Sequence, residues 1–274
     1  MIYKKIEIAV DGYKETADLY TYFLDNSIEM HINRKRPVVV ICPGGGYAMT
    51  SDREAEPIAM QYLVRGYHAV ILRYSVEPAR YPLALLQLAK SVAFLRKNAA
   101  EFHIDTNKIV LQGFSAGGHL AANLATSTSD DVLVAHGYDP DAVRPNGLML
   151  AYPVITSGPL AHRGSFDSLL GERRNDSQAL ESVSIERHID AKTPPVFAWH
   201  TVPDETVPYE NTLMLIDACK KAGVSIEVHL FPQGGHGLSL GTAETAWQGV
   251  NGIEPSIQIW PQLAVSWMRR TFAR

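Results

Sequence analysis

The sequence predicts an α/β fold, a mostly parallel, twisted sheet with helices on both faces. Three observations carry that expectation. Short apolar runs rich in β-branched residues recur along the chain, at 38–42, 69–72, 109–111, 148–150 and 196–199. Segments of helical period separate them, at about 52–65, 83–98, 117–126, 208–222 and 258–271. No internal repeat or low-complexity tract interrupts the alternation. A strand buried on both faces reads as an unbroken apolar run, and parallel strands need a crossover between them, usually a helix. At 274 residues the chain approaches two average domains, but α/β folds often reach this length as one. A single domain over 1–274 is expected.

The elements follow in order. The first 25 residues alternate, and Leu19-Tyr20-Thr21-Tyr22-Phe23-Leu24 is rich in β-formers after an Asp11-Gly12 turn signal, which suggests an antiparallel start to the sheet. Val38-Val39-Val40-Ile41-Cys42 reads as the first fully buried strand, and Ala69-Val70-Ile71-Leu72 as the next. Leu83, Leu86, Ala89, Lys90, Ala93 and Phe94 have the three-four spacing of a mostly apolar helix face. Ile109-Val110-Leu111, Leu148-Met149-Leu150 and Val196-Phe197-Ala198-Trp199 continue the strands, and Val224 to Phe231 supplies a last, more alternating one. Two stretches break the rhythm. Residues 157–194 are polar and irregular, and residues 237–256 hold Gly237, Gly241, Gly249 and Gly252. Both are long for simple connections, so they are expected as lid-like insertions or as decoration at the sheet edge.

Composition narrows the function classes. Apolar residues make up 46% and charged residues 20%, the balance of a globular rather than a disordered chain. Lys and Arg total 25 against 29 Asp and Glu, a formal net charge of −4. Such a chain lacks the positive field that non-specific nucleic-acid binding needs. Cys42 and Cys219 form no CxxC pair and no zinc spacing, and both read as buried thiols. The start, Met1-Ile2-Tyr3-Lys4-Lys5-Ile6-Glu7, has no apolar stretch after its lysines. No apolar run reaches the roughly 18 residues that span a bilayer. The expectation is a soluble cytoplasmic protein without nucleic-acid or membrane partners, metal or organic cofactor. Its assembly state is left open, a homo-oligomer included.

The strongest chemical signal is Gly113-Phe114-Ser115-Ala116-Gly117, which follows Ile109-Val110-Leu111 and precedes helix-forming Leu120-Ala121-Ala122-Asn123-Leu124. Strand, tight turn and helix are the setting in which a nucleophilic serine is held out at the carboxyl end of a strand. Gly113 to Gly118 has Walker A spacing, but His119-Leu120 stands in place of Lys and Ser/Thr. Gly44-Gly45-Gly46 follows a strand, yet Met49 occupies the last glycine position of a dinucleotide fingerprint. The run Pro43-Gly44-Gly45-Gly46-Tyr47 better suits an oxyanion loop, because a developing oxyanion needs backbone N–H groups at close range. Gly45 and Gly46 are the expected donors, with the Ala116 N–H completing the hole.

A serine hydroxyl needs a base. Of ten histidines, His236 stands out in Gln233-Gly234-Gly235-His236-Gly237, a flexible loop just after the last strand candidate. His119, four residues from Ser115, begins the helix beneath the turn and suits packing or support. His200 ends a strand and reads as structural or pocket-lining. The base in turn needs a carboxylate to hold its tautomer. Asp204, in Thr201-Val202-Pro203-Asp204-Glu205-Thr206-Val207-Pro208, is preferred over Glu205.

The order Ser115, Asp204, His236 is that of α/β-hydrolases and differs from the chymotrypsin and subtilisin orders. The chain resembles α/β-hydrolase-fold carboxylesterases, similar to bacterial acetyl esterases and acetylxylan-esterase-like enzymes. The resemblance rests on Cys42-Pro43-Gly44-Gly45-Gly46-Tyr47, Arg53-Glu54-Ala55-Glu56-Pro57, Gly113 to His119, Asp204 to Pro208, Gly235-His236-Gly237 and Trp260-Pro261-Gln262-Leu263. Pro43 stands where hormone-sensitive-lipase-like esterases carry the His of HGGG, which favours the acetylxylan-esterase-like branch. The resemblance implies a small-molecule ester substrate with a short acyl chain, acetylated sugars or xylo-oligosaccharides among them. Tyr47, Tyr81 and Trp247 are candidates to border the alcohol site and stack on a sugar face, with packing as the competing role for each. The same triad also serves amidases, peptidases and lactonases. The lack of a propeller-like repeat domain counts against a prolyl-oligopeptidase-type peptidase. A non-catalytic binding protein on this fold is the alternative from another class.

Overall fold

The computed structural model describes residues 1–273. Its sheet begins with an antiparallel pair: β1 (Ile2–Ile8) runs from Ile2 opposite Phe23 to Ile8 opposite Ala17 on β2 (Ala17–Phe23). Then come β3 (Arg36–Cys42), β4 (His68–Arg73), β5 (Ile104–Phe114), β6 (Gly147–Ala151), β7 (Val196–Thr201) and β8 (Ile226–Phe231). Among the described residues these form one eight-stranded sheet in the order β1-β2-β4-β3-β5-β6-β7-β8. From β4 to β8 neighbouring strands are parallel, whereas β2 meets β4 antiparallel.

The helices are α1 (Glu56–Leu63), α2 (Leu83–Lys97), α3 (Ala116–Ala125), α4 (Asp130–Ala135), α5 (Pro140–Val143), α6 (Arg163–Leu170), α7 (Ser177–Ser182), α8 (Glu210–Ala222) and α9 (Trp260–Thr271). Along β3, Val38, Val40 and Cys42 face one apolar cluster while Val39 and Ile41 face another. The period-two geometry of a strand thus splits one continuous apolar run between two cores. Residues of α2, α3, α6 and α8 close the first core. Ile58, Ala59 and Tyr62 of α1 and Trp260, Ala264 and Trp267 of α9 close the second. Both cysteines are buried free thiols. No helix of the described residues is long and apolar enough to cross a membrane.

Two details differ from the sequence expectation. The helical segment expected at 52–65 breaks into a short 3-10 turn, Asp52–Glu54, and α1. Pro57 sits in the first turn of α1, where its missing N–H costs nothing. The break leaves Arg53 and Glu54 on a turn rather than on a helix face. The polar stretch 157–194 contains α6 and α7 and buries Phe166, Leu169, Leu170, Val183 and Ile185 in the first core.

Candidate active site

β5 ends at Phe114 and α3 starts at Ala116, so Ser115 alone makes the turn between them. Its backbone is in an unusual conformation, φ 51° and ψ −118°. For a residue with a Cβ this costs on the order of 1–3 kcal/mol unless the surroundings hold it. They do so here. The Ser115 N–H donates to the Ala151 carbonyl at 3.0 Å, and the Ser115 carbonyl accepts from His119 and Val154 at 3.1 Å each. A Cβ on Gly117 would overlap the carbonyl groups of Cys42 and Pro43, so only glycine lets α3 pack this close to the end of β3.

Ser115 Oγ lies 2.8 Å from His236 Nε2, and His236 Nδ1 lies 2.7 Å from Asp204 Oδ2. A carboxylate only accepts, so Nδ1 carries the proton and Nε2 is left to accept from the serine hydroxyl. Asp204 is buried and Glu205 is exposed on the neighbouring turn. Burial works against the Asp204 carboxylate, but hydrogen bonds from His200 and His236 and the Val207 N–H outweigh it. Together they hold the group below the usual carboxylate range.

His200 is fully buried behind this carboxylate. Its Nε2 lies 3.2 Å from Asp204 Oδ2 and 3.0 Å from the Val207 carbonyl, and its Nδ1 lies 2.8 Å from Thr212 Oγ1. Two acceptors at Nε2 require the N–H there, leaving Nδ1 to accept from the Thr212 hydroxyl. His200 therefore orients Asp204. His119 sits under the turn, with Nδ1 at 2.8 Å from the Tyr47 hydroxyl and Nε2 at 2.7 Å from the Val183 carbonyl. Burial pushes its pKa down to about 4, against the smaller opposing effect of that carbonyl.

A cavity of about 190 Å³ opens over Ser115 and His236. Gly45 and Gly46 form one wall. Gly45 has φ 130°, and a Cβ there would run into the Met49 carbonyl. The Gly44 N–H is already given to Glu54 Oε2 at 2.7 Å, which leaves the following two amides beside the serine. Ala116 opens α3, where backbone N–H groups have no partner within the helix.

Of the three aromatic residues expected at the alcohol site, Trp247 lines the cavity. Tyr47 and Tyr81 do not. The left-handed turn at Gly46 and Tyr47, with φ 65° and 59°, carries the Tyr47 ring inward against Tyr74 and His119. Tyr81 leads into α2 and packs against the first core.

Sequence reasoning assigned no role to three residues that reach the cavity: Arg53, Glu54 and His162. Glu54 takes the Gly44 N–H on one oxygen and the Tyr152 hydroxyl, at 2.6 Å, on the other. The Tyr152 oxygen accepts the Ser239 N–H at 3.0 Å, and its ring packs against His236 at 5.0 Å between centroids. One buried carboxylate thus ties the glycine turn to the histidine loop. The sequence marked it only as part of Arg53-Glu54-Ala55-Glu56-Pro57, one of the segments that carry the resemblance. His162 comes from the polar stretch 157–194. Its Nδ1 lies 2.8 Å from Ser165 Oγ, and burial together with the nearby His236 lowers its pKa. Among the described residues, no group of three or more His, Cys, Asp or Glu is placed to hold a metal ion.

The BD-FAE family model matches residues 24–218. An endo-1,4-beta-xylanase B of Butyrivibrio fibrisolvens is 36% identical over 244 residues, which are 87% of this chain and 37% of that protein. An acetylxylan esterase of Xylanibacter ruminicola is 28% identical over 209 residues, 74% of this chain and 41% of that protein. The chain therefore spans less than half the length of these curated relatives. The crystal structure of an acetyl ester-xyloside bifunctional hydrolase from Caldicellulosiruptor lactoaceticus matches with a TM-score of 0.83 at 32% identity, covering 97% of this chain and 96% of that one. With further solved α/β-hydrolase and carboxylesterase structures of like architecture, it shows that the fold is the α/β-hydrolase fold.

Proposed function

The chain belongs to the BD-FAE family, and we propose that it is a serine carboxylesterase that removes short acyl groups, acetyl above all, from sugars such as xylo-oligosaccharides. The observation that carries this reading is the unbroken pair of hydrogen bonds, 2.8 Å and 2.7 Å, running from Ser115 through His236 to Asp204 at the floor of an open cavity.

His236 Nε2 takes the Ser115 proton as Oγ attacks the ester carbonyl carbon. The carbonyl oxygen becomes an oxyanion facing the N–H groups of Gly45, Gly46 and Ala116. Donors preset at that position act on charge that develops only in the transition state. The imidazolium, steadied by the Asp204 carboxylate, gives its proton to the leaving alcohol oxygen. A water molecule, deprotonated by the same nitrogen, then attacks the acyl-enzyme and releases the carboxylic acid. Asp204 stays ionised throughout, since His200 and the Val207 N–H share in holding it that way.

Two observations support the short acyl chain. The cavity bordered by Ser115, Gly45 and Gly46 is about 190 Å³, below the roughly 300–1,000 Å³ of pockets that enclose drug-sized ligands, and the space adjoining it is not lined by Ser115 or the two glycines. The named activities of the acetylxylan esterase and of the acetyl ester-xyloside hydrolase point the same way. The test is kcat/KM across p-nitrophenyl esters from about two to twelve carbons, where each methylene the pocket cannot take costs roughly 1–3 kcal/mol. A maximum at acetyl or propionyl is expected. A maximum at the medium- or long-chain end would refute the short-acyl reading.

A further inference from the structure

A second cavity of about 260 Å³ adjoins the first and shares with it Arg53, His236, Gly237 and Trp247. It runs away from Ser115 past Leu238, Asn251 and Gly252. In the reaction proposed above, His236 delivers its proton to the leaving oxygen. The alcohol part of the ester therefore lies on the His236 side, the side from which this second cavity continues.

The chemistry of its walls is specific. Trp247 is 56% exposed and lines both cavities, and an exposed indole is the usual platform for a sugar ring. The Arg53 guanidinium stands 5.7 Å from the centre of that ring. Its Nη1 donates to the Thr245 carbonyl at 3.0 Å, which fixes its direction. Its Nη2 lies beside Gly237, next to the catalytic imidazole.

Among the described residues Arg53 forms no ion pair. The neighbouring carboxylates are engaged elsewhere: Asp52 and Glu56 with Arg73, and Glu54 with Gly44 and Tyr152. A fixed guanidinium with free donors at the junction of two cavities is suited to bind a carboxylate through two parallel hydrogen bonds. We propose that the cleft between Arg53 and Trp247 is a subsite for a carboxylate-bearing sugar, a uronate unit, on the alcohol side of the scissile ester. This rests on the esterase reading and adds to it a preference for acidic over neutral acetylated oligosaccharides.

The experiment compares two acetylated xylo-oligosaccharides that differ only in a glucuronate branch, with p-nitrophenyl acetate as a third substrate. The wild-type protein should show kcat/KM about tenfold or more higher for the acidic substrate, as expected of a charge-assisted hydrogen bond, mainly through KM. Arg53→Gln should bring the ratio of acidic to neutral towards one. Arg53→Lys should leave an intermediate ratio, since the charge remains but the two-pronged geometry is lost. Added salt should lower the wild-type ratio. Equal values for the two oligosaccharides in the wild type, or a ratio that survives Arg53→Gln, would overturn the subsite. If p-nitrophenyl acetate and both oligosaccharides are left uncleaved, the esterase reading falls and the subsite falls with it.

Discussion

Replacing Glu54 with glutamine tests how the glycine turn and the histidine loop are held together. The side chain is buried, and each of its two oxygens accepts one hydrogen bond, from the Gly44 N–H and from the Tyr152 hydroxyl. The Tyr152 oxygen already accepts the Ser239 N–H, so its own proton must go to Glu54. Glutamine keeps the shape but has one acceptor and one donor where two acceptors are required. One buried donor is then orphaned, at a cost of about 1–3 kcal/mol. For a chain of this size that lowers the melting temperature by roughly 2–4 °C per kcal/mol. Because Gly44 precedes the expected oxyanion donors, kcat should also fall, by about tenfold or more, with KM changed less. Tyr152→Phe removes the same bond from its other end. The two variants should therefore be strongly non-additive when combined. Thermal denaturation and p-nitrophenyl acetate kinetics on the four proteins supply the cycle. Wild-type melting and turnover in Glu54→Gln, or losses that simply add in the double variant, would refute the linkage.

Further outcomes follow from the same geometry. Ser115→Ala should fold and lose about 10⁴–10⁶ in kcat, and His236→Ala should lose nearly as much, because the two act as a unit; near-wild-type turnover in either folded variant would exclude that residue. Asp204→Asn should cost up to about 10⁴ by favouring the wrong imidazole tautomer, whereas Glu205→Gln, on an exposed side chain, should have little effect on the rate. Stability should fall on acidification. His119 has its pKa lowered to about 4 by burial, so between the unfolded value of about 6.5 and about 4 the unfolded chain binds a proton that the folded chain does not. The resulting slope is about 1.4 kcal/mol per pH unit for this histidine. Urea denaturation near pH 5 should show a shallower pH dependence in His119→Asn, and an unchanged slope would count against a neutral, buried imidazole.

Much of the fold was legible in the sequence because the central strands are buried on both faces. Val38 to Cys42 is unbroken apolar sequence for the physical reason that β3 feeds two cores at once. The serine turn and the glycine run were legible because close backbone approach leaves room for no other residue, as at Gly117 against Cys42 and Pro43. What escaped depends on long-range partners or on backbone turns. Glu54 and Tyr152 are 98 positions apart, and nothing local marks them as a pair. Tyr47 looked like a cavity residue, but its position in a left-handed turn sends the ring inward. His162 was hidden in a stretch whose buried residues, among them Phe166, Leu169, Val183 and Ile185, are spread over two short helices and a turn. Without one sustained period they read as polar and irregular.

Whether Ser115 is the attacking group is tested most directly by treating the folded protein with a fluorophosphonate and locating the adduct by peptide mass spectrometry. The hydrogen bond of 2.8 Å between Ser115 Oγ and His236 Nε2 predicts a stoichiometric adduct on Ser115. It also predicts that labelling is greatly slowed in His236→Ala and absent in Ser115→Ala. A folded wild-type protein that takes up no label, or one labelled at another residue and unaffected by loss of His236, would contradict a serine nucleophile activated by this histidine.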